Sequence, residues 1–257
     1  MKHGQVCLKI EDGVASIVFD RPMARNAMTW AMYDQLEAAC MAIKVDPTVR
    51  VAVLRGAGGY FVAGTDIGQF SFFKGAQSGL DYEARIEACI SGLEQLPVPT
   101  LAVVERSAMG GGLIIAAACD LRVATTDARF GAPIARTVGN CLSARNVARL
   151  GAAFGKSRTT RLLLLADTID AAQALSCGFL CESVTPDQLD ACVVTIVRMI
   201  CNHAPITMRV SKEMIRRLHE SVGMDDADLV AEAYSSADFF EGVDAFTSKR
   251  TARWQGK

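Results

Sequence analysis

This 257-residue sequence has no excess of charge of either sign. Its 27 lysines and arginines nearly balance 28 aspartates and glutamates, which leaves a formal net charge of -1. No general attraction to nucleic acid or to an anionic membrane surface is therefore expected. Histidine is also scarce, with 3 residues, and none of them lies beside a glycine-rich turn. Since the Gly-x-Ser-x-Gly motif is missing too, nothing supports a Ser–His–Asp triad.

Long hydrophobic runs are missing as well. The longest uncharged apolar stretch, Ser107 to Cys119, is shorter than the roughly 20 residues of a membrane-spanning helix and contains three consecutive glycines. Residues 1–13 carry charges throughout, unlike the apolar stretch of a signal peptide. We therefore expect a soluble, cytoplasmic protein with no membrane partner.

The sequence contains 9 cysteines but lacks the spacing of cysteine pairs. Their number is odd and no Cys-x-x-Cys pair occurs, so neither a disulfide framework nor a metal site is predicted. Several lie inside apolar runs, namely Cys40, Cys89, Cys119 and Cys192. The pattern favours free thiols, several of them buried, in a reducing compartment.

What is present is the composition of an ordinary globular protein. Hydrophobic residues make up 51% of the sequence. A hairpin is predicted around Asp12-Gly13, and a short apolar strand followed by a turn and a helix recurs at 16–40, 51–70 and 101–119. This repetition predicts an α/β fold, in which ligand sites lie in the turns at strand ends.

Nucleotide-binding motifs fit these turns poorly. The spacing Gly-x-Gly-x-x-Gly occurs at neither glycine-rich turn. The stretch Gly151–Ser157 resembles a phosphate-binding loop but is one residue short and follows a helical pattern instead of a strand. We interpret it as a turn between helices.

Two turns rich in small residues remain, Ala63–Asp66 and Met109–Gly112. Glycine lets a ligand approach the backbone closely, and a helix N-terminus leaves N–H groups unpaired. Two such turns facing each other would form converging donors for a carbonyl oxygen that gains negative charge. Tight packing of helix against strand explains the glycines equally well, so the residues alone leave both interpretations open.

These turns resemble the signature of the crotonase superfamily, the enoyl-CoA hydratase/isomerase family. The order and spacing of several motifs carry the resemblance along nearly the whole chain. They are Arg21-Pro22-x-x-x-Asn26-Ala27-Met28, Phe61-x-Ala63-Gly64-Thr65-Asp66-Ile67, Ala108-Met109-Gly110-Gly111-Gly112, Cys119-Asp120-Leu121-Arg122, Phe130-Gly131-x-Pro133, Gly155-Lys156-Ser157 and Glu241-Gly242-x-x-Ala245-Phe246-x-x-Lys249-Arg250.

The resemblance implies an α/β crotonase (ClpP-like) fold. A spiral of ββα units over residues 1–200 would bind acyl-CoA, and a helical region over residues 201–257 would form homotrimers, or hexamers as dimers of trimers. Coenzyme A would enter as part of the substrate, with no separate cofactor, in reactions of fatty acid metabolism. The backbone N–H groups of Thr65 and Gly111 would form the oxyanion hole. Implied CoA contacts are Arg25, Ala63, Asp66, Ile67, Phe246 and Lys249.

Departures from the family pattern bear on the chemistry. Ile114 and Ile134 stand where the resemblance places the two glutamates of hydratases, and isoleucine cannot transfer a proton. The loop that follows has no carboxylate where isomerases keep one. Its polar residues are candidates for the acyl end, namely Arg136, Thr137, Asn140, Cys141 and Ser143. Ile114, Ile134 and Asn140 are the implied acyl-pocket residues.

The resemblance therefore implies a reaction through a thioester enolate, of the isomerase, decarboxylase or lyase type. A non-catalytic acyl-CoA binder is the alternative. An RNA-binding or scaffold role is disfavoured by the near-neutral charge and by the lack of a basic segment with interleaved aromatics. Phe70, Phe72 and Phe73 suggest an apolar lid over the acyl group, although core packing explains them as well.

Overall fold

A β-hairpin opens the fold, as the sequence predicts. In the computed structural model, which describes residues 4–220 and 227–255, β1 (Gln5–Glu11) pairs antiparallel with β2 (Val14–Asp20). Asp12 and Gly13 have φ values of 51° and 78°. Two central residues with positive φ match the right-handed twist of the strands, which explains the Asp-Gly pair.

From β2 onward the larger sheet is parallel. Its strand order is β1-β2-β3-β4-β6-β9, where the further strands are Val51–Gly56 (β3), Thr100–Val104 (β4), Leu121–Thr125 (β6) and Glu182–Val184 (β9). Every residue of β4 is buried. A parallel strand covered on both faces needs such a continuous apolar run instead of an alternating one.

A smaller sheet supports the second glycine-rich turn. It has the order β5-β7-β8 and consists of Ser107–Met109 (β5), Arg129–Gly131 (β7) and Thr168–Asp170 (β8). The amide of Gly110 donates to the carbonyl of Gly131 at 2.8 Å. This bond fixes the backbone just before Gly111.

Helices follow the strands and then form the C-terminal region. They are Trp30–Val45 (α1), Ala76–Glu94 (α2), Gly111–Ala118 (α3), Ile134–Thr137 (α4), Ala144–Leu164 (α5), Ala171–Ser176 (α6), Leu189–Cys201 (α7), Pro205–Glu220 (α8), Ala227–Ser235 (α9) and Ala237–Thr247 (α10). Short 3-10 helices cover Pro22–Ala24, Ala57–Gly59, Ile67–Phe72 and Pro186–Gln188.

The structure changes the start of α2 and shows a break within α5. Residues 68–81 have no clean period in the sequence, which would place the start of a helix after them, whereas α2 begins at Ala76. Gly79 hides its periodicity, yet a Cβ there would lie 2.1 Å from Cγ of Tyr234, so the glycine makes room for that ring. In α5 the backbone breaks at Gly155, with φ 75° and ψ 158°. The stretch Gly151–Ser157 is therefore a kinked helical connection.

The C-terminal helices fold back onto α2 and the 3-10 helix Ile67–Phe72. A cluster that we call the C-terminal aromatic cluster joins them: Phe70, Val138, Val230, Tyr234, Phe239 and Val243. The main core lies between the larger sheet and helices α1 to α3 and α5, and a second core lies beneath α7. The predicted boundary at residue 200 stays a prediction, and residues 1–3, 221–226 and 256–257 of the two predicted regions lie outside the described residues.

Within the described ranges, no single helix is long and apolar enough to cross a membrane. The segments Pro186–Cys201 and Pro205–Leu218 pass the length and composition test only as a pair, with a bend of 102° between them. Leu189, Ile196 and Ile200 of the first segment belong to the second core.

Candidate active site

The two glycine-rich turns lie side by side. Val62 pairs with Ala108 in an isolated parallel bridge, and the amide of Met109 donates to the carbonyl of Val62 at 3.1 Å. A Cβ built on Gly64, where φ is 102°, would lie 3.1 Å from the carbonyl oxygen of Met109. Glycine at this position is what allows the close approach of the two backbones.

This approach brings the amide nitrogens of Thr65 and Gly111 together. A Cβ built on Gly111 would lie 3.7 Å from the amide nitrogen of Thr65, and one on Gly64 would lie 3.8 Å from that of Gly111. Gly111 is the first residue of α3, so its N–H has no acceptor within the helix. In the described part of the chain, neither N–H donates to a protein acceptor. The pair is available to an oxygen that gains negative charge, at the positive end of a helix dipole.

A cluster of three hydroxyls borders the two amides. The hydroxyl oxygen of Thr65 lies 2.8 Å from that of Tyr33 and 2.9 Å from that of Tyr82. A Cβ built on Gly111 would lie 2.8 Å from the Tyr33 hydroxyl and 3.3 Å from the Thr65 hydroxyl. Burial raises the pKa of both phenols well above their ordinary value, so both remain protonated donors.

Sequence reasoning missed Tyr33 and Tyr82. The only available signal is scarcity: the chain has 4 tyrosines, and Tyr33, Tyr82 and Tyr234 all take part in polar networks around this region. Nothing in the spacing of the sequence predicts that their hydroxyls converge.

Aromatic rings extend from the hydroxyl cluster toward the C-terminal helices. The ring of Tyr82 packs 5.6 Å from Trp30, 5.0 Å from Phe70 and 6.0 Å from Tyr234, measured between centroids. Of the three phenylalanines expected as a lid or as core, two pack in the C-terminal aromatic cluster and one is exposed. Phe70 is 2% exposed and Phe72 is 80% exposed, while Phe73 packs on the rings of Phe70, Tyr82, Tyr234 and Phe239.

A buried carboxylate that sequence reasoning missed lies behind these rings. Glu83 of α2 is 6% exposed, and its two oxygens accept hydrogen bonds from the hydroxyl of Tyr234 at 2.8 Å and from the amide of Ser143 at 3.0 Å. The signal was its place on the buried face of α2, in step with Gly79, Ile86, Ile90 and Leu93. An acidic residue on such a face is rare unless it is paired.

Asn140 is held by the same network. Its side-chain nitrogen donates to the hydroxyl of Tyr234 at 3.2 Å. Its oxygen is buried and accepts no hydrogen bond from the described residues. Asn140 therefore offers an acceptor near the predicted acyl end, although its contact with an acyl group stays a prediction.

The remaining predicted acyl-end residues contribute little proton chemistry. Ile114 is buried in the main core, and Ile134 begins α4 and is half-buried. The hydroxyl of Thr137 donates to the carbonyl of Pro133 at 2.9 Å, and that of Ser143 accepts the amide of Asn146 as the N-cap of α5. Both hydroxyls thus have partners within the protein, Ser143 as a helix cap and Thr137 at the carbonyl four residues before it.

The predicted CoA contacts fall into two places. The carbonyl of Arg25 accepts the amide of Ala63 at 3.1 Å, which joins the first and second motifs. The guanidinium groups of Arg25 and Arg106 lie 5.6 and 4.9 Å from the ring centroid of Tyr60. Two cations around one ring form a basic rim that suits a phosphate. Sequence reasoning had named only Arg25.

Asp66 and Ile67 have roles within the fold. The carboxylate of Asp66 accepts the amide of Gly68 at 3.0 Å as an N-cap and pairs with Arg21 at 2.8 Å. Ile67 packs against the C-terminal aromatic cluster. The contact of Asp66 and Ile67 with CoA stays a prediction.

Phe246 and Lys249 lie at the C-terminal end of the chain. Phe246 is half-exposed near the end of α10, and Lys249 follows it with φ 54°. They belong to a different element from the glycine-rich turns, and their contact with CoA stays a prediction. No group of three or more metal-ligating side chains occurs among residues 4–220 and 227–255.

Comparison with known proteins gives the family context. A family model described as enoyl-CoA hydratase/isomerase matches residues 9–257. An enoyl-CoA hydratase domain-containing protein 2 of Bos taurus mitochondria is 32% identical over 98% of this chain and 88% of its own length. The short-chain-enoyl-CoA hydratase of Clostridium acetobutylicum is 30% identical over 97% of both chains.

A solved structure shares the architecture. A methylmalonyl-CoA decarboxylase in complex with 2-nitronate-propionyl-CoA has a TM-score of 0.89 at 26% identity, covering 98% of both chains. This likeness confirms the fold class predicted from the motifs.

Proposed function

The chain belongs to the enoyl-CoA hydratase/isomerase family, the crotonase superfamily, and on that premise we propose that it binds an acyl-CoA thioester and acts through a thioester enolate. Double-bond migration, decarboxylation and C–C cleavage are reactions of this kind. Coenzyme A enters as part of the substrate, and the reaction needs no separate cofactor.

The adjacent amides of Thr65 and Gly111 carry this proposal. An enolate places negative charge on the thioester oxygen, and donors aimed at that oxygen lower its energy most in the transition state. One such donor contributes about 100- to 1,000-fold in rate in a characterised protease. The close approach of the two turns at Gly64 supplies two donors without any side chain.

Water addition is left out of the proposal. It needs a base for water and an acid for the α-carbon, and Ile114 and Ile134 supply neither. The carboxylate of Glu83 accepts hydrogen bonds from Tyr234 and Ser143 instead of standing at either position. Loss of carbon dioxide from a malonyl-type thioester yields an enolate without activating water, so the likeness to a decarboxylase supports the same chemistry.

A non-catalytic acyl-CoA binder is the second candidate. The hydroxyl of Thr137, the hydroxyl of Ser143 and the carboxylate of Glu83 all have protein partners. A family member with the pocket and no free acid would bind a thioester without converting it. Turnover of a panel of acyl-CoAs separates the two candidates, since only an enzyme changes the acyl group.

Binding is tested by titrating CoA and several acyl-CoAs while the melting temperature and the heat of binding are recorded. A ligand that binds only the folded state raises the melting temperature by mass action. Arg25→Ala and Lys249→Ala should reduce the rise, whereas Lys44→Ala, which removes an exposed lysine of α1, should not. The absence of any shift or heat with all these compounds would contradict the proposal.

We further propose a homotrimer, or a hexamer formed as a dimer of trimers, in the cytoplasm. In such an assembly Phe246 and Lys249 approach the CoA of a neighbouring subunit. Their exposed position beyond the core supports this role.

A further inference from the structure

The hydroxyl cluster of Tyr33, Thr65 and Tyr82 holds one proton more than its internal hydrogen bonds use. Three hydroxyls carry three protons. The cluster contains two hydrogen bonds, one between Thr65 and the hydroxyl of each tyrosine, at 2.8 and 2.9 Å. Whichever way these bonds run, one hydroxyl proton is left to be donated outside the cluster. Among residues 4–220 and 227–255, these three hydroxyls have no other hydrogen-bond partner.

The chemistry of the three groups indicates which proton is left. A phenol is a stronger acid than an aliphatic alcohol, so it is the better donor, and the alcohol oxygen is the better acceptor. Either oxygen of each pair could be the donor by geometry alone. Thr65 has two lone pairs, enough to accept both phenols at once. Acidity favours this arrangement, which leaves the proton of the Thr65 hydroxyl free. Two incoming hydrogen bonds polarise that hydroxyl and strengthen its own donation.

The free proton lies next to the two backbone donors. Thr65 supplies one of the two amides itself, and its hydroxyl oxygen is 3.3 Å from the position of a Cβ on Gly111. Thr65 is 8% exposed, so a donor there acts with little competition from solvent. With both tyrosines donating to Thr65, the described residues offer its own proton no acceptor, so that proton is used when an acceptor enters between the turns.

We propose that the hydroxyl of Thr65 is a third donor to the thioester oxygen, with Tyr33 and Tyr82 as positioning residues that direct it. The inference rests on the proposed function, because the thioester is the acceptor. It makes Thr65 a catalytic residue through its side chain as well as its backbone. The pocket therefore suits reactions that place full charge on this oxygen.

The carbonyl stretch of a bound thioester tests the third donor. Isotope-edited infrared difference spectra of [1-13C]butyryl-CoA, at saturation, report how strongly the oxygen is hydrogen-bonded. The wild-type protein should shift the stretch to lower frequency. Thr65→Val, which keeps the branched shape, should lose part of this shift, and Thr65→Ser should keep it. Tyr82→Phe and Tyr33→Phe should each lose less than Thr65→Val.

Control variants distinguish a failure of the Thr65 hydroxyl as third donor from a failure of the protein to bind a thioester. Thr195→Val, at an exposed threonine of α7, should leave the shift unchanged. Thr65→Ala, which removes the hydroxyl without adding a methyl group, serves as the second variant, and circular dichroism confirms folding of each. A bound thioester whose shift survives both Thr65→Val and Thr65→Ala overturns the third donor alone. A wild-type protein that binds no butyryl-CoA overturns the proposed function and the third donor with it.

Discussion

At the scale of single residues, burial keeps several ionisable side chains neutral. It raises the pKa of the thiols of Cys40, Cys89 and Cys119 to about 12, and it raises the pKa of the phenols of Tyr33 and Tyr82 as well. Neutral phenols are the state in which the hydroxyl cluster can donate. Neutral thiols are poor nucleophiles, so these cysteines are structural and inert.

The raised thiol pKa values predict a loss of stability at alkaline pH. An unfolded thiol ionises near pH 9 while the buried one holds its proton until about pH 12. The unfolded state binds fewer protons in this window, so the free energy of unfolding falls as the pH rises from about 9 to 12. Each group contributes at most about 1.4 kcal/mol per pH unit. Denaturant unfolding between pH 8 and 11 measures the slope.

Two cysteine variants provide the comparison. Cys119→Ala removes a buried thiol and should flatten this slope, whereas Cys7→Ala removes an exposed one and should not. Equal slopes in the two variants would show that the buried thiol does not hold its proton.

At the scale of elements, the close contact between the second motif and the start of α3 depends on glycine. A Cβ on Gly112 would lie 2.1 Å from the carbonyl oxygen of Val62, a backbone atom that cannot move aside. Gly151, within α5, has nothing within 4 Å of its missing Cβ. A side chain is therefore excluded at position 112 and has room at position 151.

The two positions predict opposite effects of alanine. Gly112→Ala should lower the free energy of unfolding by about 1–3 kcal/mol or more, because the added methyl group forces two backbones apart. Gly151→Ala should leave it unchanged or raise it by up to about 1 kcal/mol through helix propensity. Thermal or urea unfolding checks both. A Gly112→Ala protein as stable as the wild type would mean that the turns are looser than described.

Elements with a strong local pattern were predictable from the sequence. The hairpin β1–β2, the buried strand β4 and helices α1 and α5 follow from alternation, apolar runs and caps. The three-residue strands β5, β7, β8 and β9 were not, because so few residues show no period. The start of α2 was missed because Gly79 interrupts the pattern for the sake of a ring 155 positions away in sequence.

The residues of the candidate site were likewise predictable only in part. The adjacent turns of Thr65 and Gly111 could be expected because the glycines that bring them together are local motifs. Tyr33, Tyr82 and Glu83 could not, since each lies on an ordinary amphipathic helix and acquires its partner only through packing. Scarce tyrosines and one acid on a buried face were the only hints.

At the scale of the whole molecule, the C-terminal helix α8 leaves an apolar face uncovered in the single chain. Its exposed fractions include 69% for Ile206, 62% for Met214 and 76% for Leu218. On the opposite side, Lys212 anchors the helix through Asp120 at 2.7 Å and the carbonyl of Val98 at 3.0 Å. A firmly attached helix with an exposed apolar face is typical of a subunit interface.

Assembly is therefore the expected state in solution. Sedimentation velocity at micromolar concentration should show a trimer or a hexamer. Replacing Met214 and Leu218 together by glutamate should shift the protein toward monomer, because burying unpaired charge at an interface is costly. Val45→Glu, at an exposed position ending α1, is the matched control and should not. A wild-type protein that sediments as a stable monomer would contradict the prediction.

The hydration of crotonyl-CoA tests most directly the claim that this family member lacks the acid and base of a hydratase. The assay follows the loss of enoyl absorbance with purified protein. General acid–base groups contribute about 100- to 10,000-fold each, so with isoleucine at positions 114 and 134 the rate should stay near background although the two amides remain. A turnover of about 10 per second, the median for enzymes, would contradict this and would point to a replacement acid or base, with Glu83 and the Arg136–Ser143 loop as the first places to look.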